Sequence, residues 1–199
     1  MKNREKVLSA IAFLFAVGSM MSNELNSLIG GDNVRLTRHT VFVRKNVTNA
    51  GGAIRIIDEN TKKIDGVSSL SETKLPKNQA VIFDKIAIGF AEGDAEGKEG
   101  ALDYTSKKAP VVLVNASIVI TQNGREVVDL PLADLVKTIS PGSPDDLYHD
   151  LEGFNYLVDD QPMEWVLRLP NGEVLAPSAA GKFNYLEVRL QGFKTSRKQ

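Results

Sequence analysis

The chain has 199 residues, 42% hydrophobic and 25% charged, the size and composition of one globular domain able to bury a core. Its 24 Lys and Arg against 25 Asp and Glu give a formal net charge of −1, so no whole-chain field draws in nucleic acid. It holds no cysteine, which removes disulfides, thiolate nucleophiles and cysteine-held metals.

The charged start Lys2, Arg4, Glu5, Lys6 leads into an apolar run of 15 residues from Val7 to Met21, interrupted only by Ser9, Gly18 and Ser19. A membrane-crossing helix needs ~20 mostly apolar residues, so this run is short for spanning. It suits the apolar region of a secretory signal, and Val17-Gly18-Ser19 offers small residues at a cleavage point. Helical spacing gives a rival reading. Val7, Ile11, Leu14, Met21, Leu25 and Leu28 recur at steps of four and three, with Gly18 in the vacant position. That stripe crosses the cleavage point and stops at Gly30-Gly31, which end a helix. It predicts a retained helix over 1–31 whose six stripe residues contact a membrane or a neighbouring subunit.

Beyond Gly31 the pattern turns strand-like. Thr40–Arg44 and Ala53–Ile57 are β-branched or aromatic runs closed by polar turns. After a polar stretch over 58–79, residues 80–90 form a long strand with Val81 and Phe83 in phase, then Ile86 and Ile88 after a break at Lys85. Residues 91–108 are a Gly-rich acidic loop, long enough to have a job of its own. Val111–Thr121 and Arg125–Leu130 make a hairpin around Asn123-Gly124, both tolerant of positive φ. Pro131–Lys137 reads as a short helix, Ser140–Pro144 as a break, and Asp145–Leu151 as another short helix. Phe154–Val158 and Met163–Leu169 are strands, and Trp165 alternates with Met163 and Leu167 into the sheet interior. The last strand sets Leu186, Val188 and Leu190 against Glu187, Arg189 and Gln191. About eight strands without alternating βα units predict an antiparallel β-sandwich over 32–199, with the helix of 1–31 and one or two short loop helices added. The tail Lys194-Thr195-Ser196-Arg197-Lys198 is a solvated, frayed end or a basic contact for a membrane surface or nucleic acid.

Catalytic chemistry is thin. The two histidines, His39 and His149, are too few for a β-barrel metal site built from convergent imidazoles. Asp145, Asp146, His149 and Asp150 cluster in sequence, but an acidic helix start explains them, and a hydrolase built on acids of 145–160 ranks third among readings. Asp94, Glu96 and Glu99 lack the order of a calcium loop. Phosphate-loop, nucleophile-elbow and dinucleotide motifs do not occur. Tyr148, Phe154 and Tyr156 either line a groove or pack around the short helix. No catalytic, metal or cofactor-binding residue is assigned, and the chain reads as a non-enzyme.

Leu75–Phe83 leading into a long strand, the hairpin at Asn123-Gly124, Leu130-Pro131-Leu132, Trp165–Gly172 and the closing Leu186–Gly192 follow one another in a familiar order. Over roughly 34–193 this resembles the jelly-roll virion proteins of tailless icosahedral bacteriophages, particularly those with an internal membrane. The resemblance implies a single jelly roll acting as a shell or vertex protein of the capsid. Its partners would be copies of itself and other virion proteins, with an internal membrane reached through the N-terminal helix. Nucleic acid has only the basic tail in its favour. The alternative is an exported or periplasmic β-sandwich that binds a carbohydrate or protein after signal cleavage.

Overall fold

The alternation at residues 185–193 seeds the architecture, because a strand with one apolar face needs a second layer to cover it. The computed structural model describes residues 2–137 and 143–198. Its eight strands are β1 (Val34–Asn46), β2 (Ala53–Arg55), β3 (Val81–Gly93), β4 (Ser117–Gln122), β5 (Arg125–Pro131), β6 (His149–Leu157), β7 (Met163–Arg168) and β8 (Phe183–Arg197). They pair antiparallel in two four-stranded sheets, ordered β1-β8-β3-β6 and β2-β7-β4-β5. Apart from the β4–β5 hairpin, each strand thus falls in the layer opposite its neighbours in sequence, and the chain wraps as two interleaved Greek keys. This is a single jelly-roll antiparallel β-sandwich.

Between the sheets lie Phe83, Ile86 and Ile88 of β3, Leu186, Val188 and Leu190 of β8, Ile118 and Ile120 of β4, and Trp165 and Leu167 of β7. Trp165 is fully buried. The register of β3 shifts between Phe83 and Lys85, so inward alternation through Val81 and Phe83 resumes at Ile86 and Ile88. This bulge is the break visible at Lys85. The β4–β5 turn is Asn123-Gly124, with φ of 49° and 73°, the positive pair that a two-residue hairpin demands.

Four expectations need correction. Residues 1–31 are not one helix. A helix α1 (Lys2–Val17) passes through a 3-10 turn (Gly18–Met20) into a second helix α2 (Asn23–Gly30), and the Ser22 side chain accepts from Leu25 N at 3.3 Å as its N-cap. Val111–Val114 is a helical turn, α3, that tucks Leu113 into the core before β4 begins at Ser117. Here tertiary burial outweighs the β preference of a Val-rich run. Only Pro144–Leu147 is helical in the Asp145–Leu151 stretch, and β6 already starts at His149. The tail is not frayed, because β8 runs to Arg197 and Thr195 is buried, exchanging backbone and side-chain hydrogen bonds with Ala80. Leu132–Leu135 forms the short helix α4 within the predicted Pro131–Lys137. Of the predicted break, Ser140, Pro141 and Gly142 lie outside the described residues.

Candidate functional site

The outer face of the β1-β8-β3-β6 sheet is the most elaborated surface of the molecule. Over one end lies the N-terminal arm, α1 and α2. Leu14, Met21, Leu25 and Ile29 pack on Ala80, Ile82 and Val158, with Val34, Leu36, Phe154 and Tyr156 around them. The Phe13 ring meets Phe154 and Tyr156 at centroid distances of 5.6 and 6.0 Å. Of the six predicted contact residues, Leu14, Met21 and Leu25 are therefore buried within their own chain, while Val7, Ile11 and Leu28 are half-buried. Ala10 and Ile29, which the stripe omits, are buried too. The stripe fails at its far end because the phase resets at Ser22, which turns Ile29 rather than Leu28 to the sheet.

Two polar latches tie the arm down. Lys6 Nζ reaches Asp84 Oδ2 at 2.5 Å, at the β3 bulge. Ser22 Oγ donates to Asp159 Oδ2 at 2.7 Å, which also accepts from Asn78 N at 2.8 Å. In both carboxylates the other oxygen is buried with no protein partner. A buried unpaired oxygen costs free energy, so these latches fix geometry more than they add stability.

The two arm helices differ in what they turn outward. α2 exposes Asn23, Glu24, Asn26 and Ser27, an ordinary polar surface. α1 exposes Leu8 (56%), Ala12 and Phe15 (54%), and Met20 (64%) follows in the adjoining turn. From Val7 to Val17 it carries no charge. α1 is apolar on two faces, and only one is covered by the sheet.

Past the arm, a groove of about 410 Å³ is lined by Lys6, Val7, Arg38, Lys85, Asp145 and Gln191, among others. Arg38 bridges to Asp145 at 3.5 Å with both side chains well exposed, a contact of little energetic weight. At the far end of the same face the chemistry changes. Glu187, 2% exposed, takes Arg44 Nε and Arg189 Nε at 2.7 Å each, one on either oxygen. Arg44 also donates to Gly66 O at 2.6 Å, and its guanidinium lies 4.5 Å from the Tyr104 ring centroid. Tyr104 comes from the 94–108 loop and covers Gly89, where any Cβ would sit 2.8 Å from Tyr104 Cβ. Burial, chiefly, pushes the Tyr104 phenol above its ordinary value, so it stays a neutral donor to Glu99 O at 3.0 Å.

The sequence candidates for chemistry do not assemble. His39 is half-buried in β1; burial and the charges of Lys194 and Lys63 hold its imidazole below its ordinary pKa. His149 and Asp150 lie in β6, Asp145 and Asp146 in the turn before it, and the Asp146 carboxylate accepts from Ser143 N to close a capping box. Among the described residues no group of three His, Cys, Asp or Glu is placed to hold a metal ion. Of the aromatic trio, Phe154 and Tyr156 pack under the arm, and Tyr156 also takes the Arg125 guanidinium 3.8 Å from its ring centroid. Among the described residues no helix is long and apolar enough to cross a membrane. The Arg44–Glu187–Arg189 cluster went unread because alternation assigns Glu187 and Arg189 to solvent. The available signal was Gly89, a residue without a side chain in a long apolar strand, followed by a loop carrying an aromatic.

No protein-family model matches this chain, and a search of curated proteins finds no relative.

Proposed function

We propose that this chain is a non-enzymatic structural protein of a viral capsid, a single jelly roll that assembles with copies of itself as a shell or vertex protein. Its N-terminal arm contacts an internal membrane or a neighbouring subunit. The observation that carries the reading is the pairing of the jelly-roll strand order with an N-terminal arm whose first helix, α1, is apolar on both faces. A rigid sandwich presents the same surfaces to every copy, as a closed shell requires. The support is at the level of fold, which many functions share, and the arm adds what an isolated binding module has no use for. Cleavage near Val17-Gly18-Ser19 would strip α1 from the sheet and leave Phe154 and Tyr156 without the Phe13 ring, which favours a retained arm over the exported reading.

Negative-stain microscopy and light scattering of the full chain at rising concentration test the proposal. Rings, sheets or closed particles are expected. A protein that stays monomeric at high concentration and joins no particle sinks it. Intact mass of the natural protein decides the exported alternative, which requires a new N-terminus near Met20.

A further inference from the structure

The four strands that end a sheet are guarded unequally. β2 is three residues long. β5 is broken by a register shift at Val127 and closes on Pro131, and β6 shifts register around Glu152, at φ 58°. Such features keep an edge from taking another strand. β1 has none of them: its pairing with β8 runs unbroken from Val34 to Asn46. Alternate residues of an antiparallel strand bond to opposite sides. Asn33 O takes Lys198 N on the β8 side, whereas Phe42 O takes Ser69 N at 2.9 Å and Arg44 N reaches Val67 O at 2.8 Å on the other. The even-numbered residues therefore face outward. Val34, Leu36, Arg38 and Thr40 do so too, and among the described residues their outward N–H and C=O groups have no partner. Beside this free stretch runs a depression of about 250 Å³, walled by Val7, Ile11 and Phe15 of α1 and lined also by Val34 and Leu36.

We propose that the β1 edge over Val34–Thr40 takes an added antiparallel strand, an acidic extended segment of a partner protein with apolar residues at alternate positions, seated between β1 and α1. The free backbone groups supply donors and acceptors in strand register, the basis of recognition by strand addition. A strand laid ~4.8 Å outside β1 meets the α1 wall with every second side chain, as Val34 and Leu36 already do. Its remaining side chains fall on the face away from the arm, opposite Arg35 and His39. That face is cationic. Arg35 is exposed and forms no ion pair among the described residues, and the charges that bear on His39 are those of Lys194 and Lys63. Acidic residues fit there, and a second copy of the same edge does not: a two-fold pair about Thr37 would set Arg35 against His39, and like charges directly opposite destabilise a sheet. Nucleic acid would engage the cations but gain nothing from the apolar wall. That the strand comes from another protein of a particle rests on the shell-protein reading, whereas the pairing itself stands on the edge alone.

The probe is a blocked peptide of alternating valine and glutamate, long enough to cover Val34–Thr40 and with valine at both ends, titrated into the full chain by calorimetry. Binding is expected, with slowed hydrogen exchange at the Leu36, Arg38 and Thr40 amides, which face the added strand. A peptide with lysine for glutamate binds about tenfold or more weakly. N-methylation of the valines, whose amides point at β1, costs about tenfold or more, and N-methylation of the glutamates leaves affinity unchanged. Arg35→Glu/Lys63→Glu, both side chains being exposed, keeps the wild-type melting temperature and reverses the preference in favour of the lysine peptide. Arg38→Pro removes an outward N–H without touching the β8 ladder and weakens binding more than Arg38→Gln does. The inference is overturned if wild type ignores the glutamate peptide, takes the lysine peptide equally well, or is indifferent to methylation of the valines. It is overturned equally if Arg38→Pro merely dissolves a self-association, or if the cations hold an oligonucleotide while the peptide goes unbound. Failure here with particle assembly intact removes the strand seat alone; peptide binding by a chain that never assembles removes the shell reading alone.

Discussion

The two ends of one sheet face are covered by opposite means. Over Ile82 and Phe154 the arm lies down through apolar contact, with two incompletely satisfied latches. Over Gly89 and Glu187 the cover is held by directed bonds: Arg44, fixed on the carboxylate that it shares with Arg189, lies over the Tyr104 ring of the 94–108 loop, and Phe90 and Thr105 exchange a reciprocal backbone pair at 3.1 Å. Apolar cover tolerates sliding, since its energy follows area and not direction. The charged end is fixed, because each buried group is costly without its partner. The arm end is therefore the place where the molecule can adapt to what it meets, and the loop end the place where it stays constant.

The difference can be broken from either side. Leu25, fully buried under α2, anchors the apolar end. Leu25→Ala is expected to cost about 2–4 kcal/mol in urea unfolding and to speed proteolysis around Gly30–Asn33; unchanged stability would mean that the arm adds nothing to the fold. At the other end, Glu187→Gln removes the charge that both arginines share, and a loss of about 3 kcal/mol is expected. Hydrogen exchange after that change should rise in residues 94–108 and stay unchanged in α1, which separates the two ends directly. Gly89→Ala sharpens the same point. Its methyl displaces Tyr104, for about 1–3 kcal/mol, and heightened tryptic cleavage at Lys98, Lys107 and Lys108 would report the lifted loop. Ser22→Ala removes both the α2 cap and one latch, for about 1 kcal/mol, read by thermal melting.

The smallest effect is protonic. With the native pKa of His39 lowered from 6.5, the unfolded chain binds a proton that the folded chain refuses. Stability from this group is complete above pH 6.5, declines as pH falls from there through the lowered native value, and then levels. The change should stay below about 1 kcal/mol and vanish in His39→Gln, as denaturation midpoints across that pH window would show.

Much of the fold was legible because the inward positions follow a period of two: Leu186, Val188 and Leu190 identify β8, and Asn123-Gly124 fixes a hairpin whatever surrounds it. The arm was half legible. A period of four and three correctly places Leu14, Met21 and Leu25 on one face, yet it gives no sign of what covers that face, and the cap at Ser22 breaks the phase it assumes. The charged end was illegible for a topological reason. Glu187 and Arg44 are 143 residues apart, and they meet only because β8 pairs with β1, a long-range fact that no local pattern carries.

That pairing has a consequence for how the molecule is made. β8 lies between β1 and β3 in its sheet, so until residues 183–197 have left the ribosome those two long strands have nothing between them. Half of the sandwich therefore waits, edges open, until β8 has been made. Assembly of this sheet should be late and slow, as contacts of large sequence separation are. During that wait the arm, whose own floor includes Ala80, Ile82 and Val158, has no finished surface to lie on. Until β8 is in place the arm is an uncovered apolar segment of the growing chain, open to association.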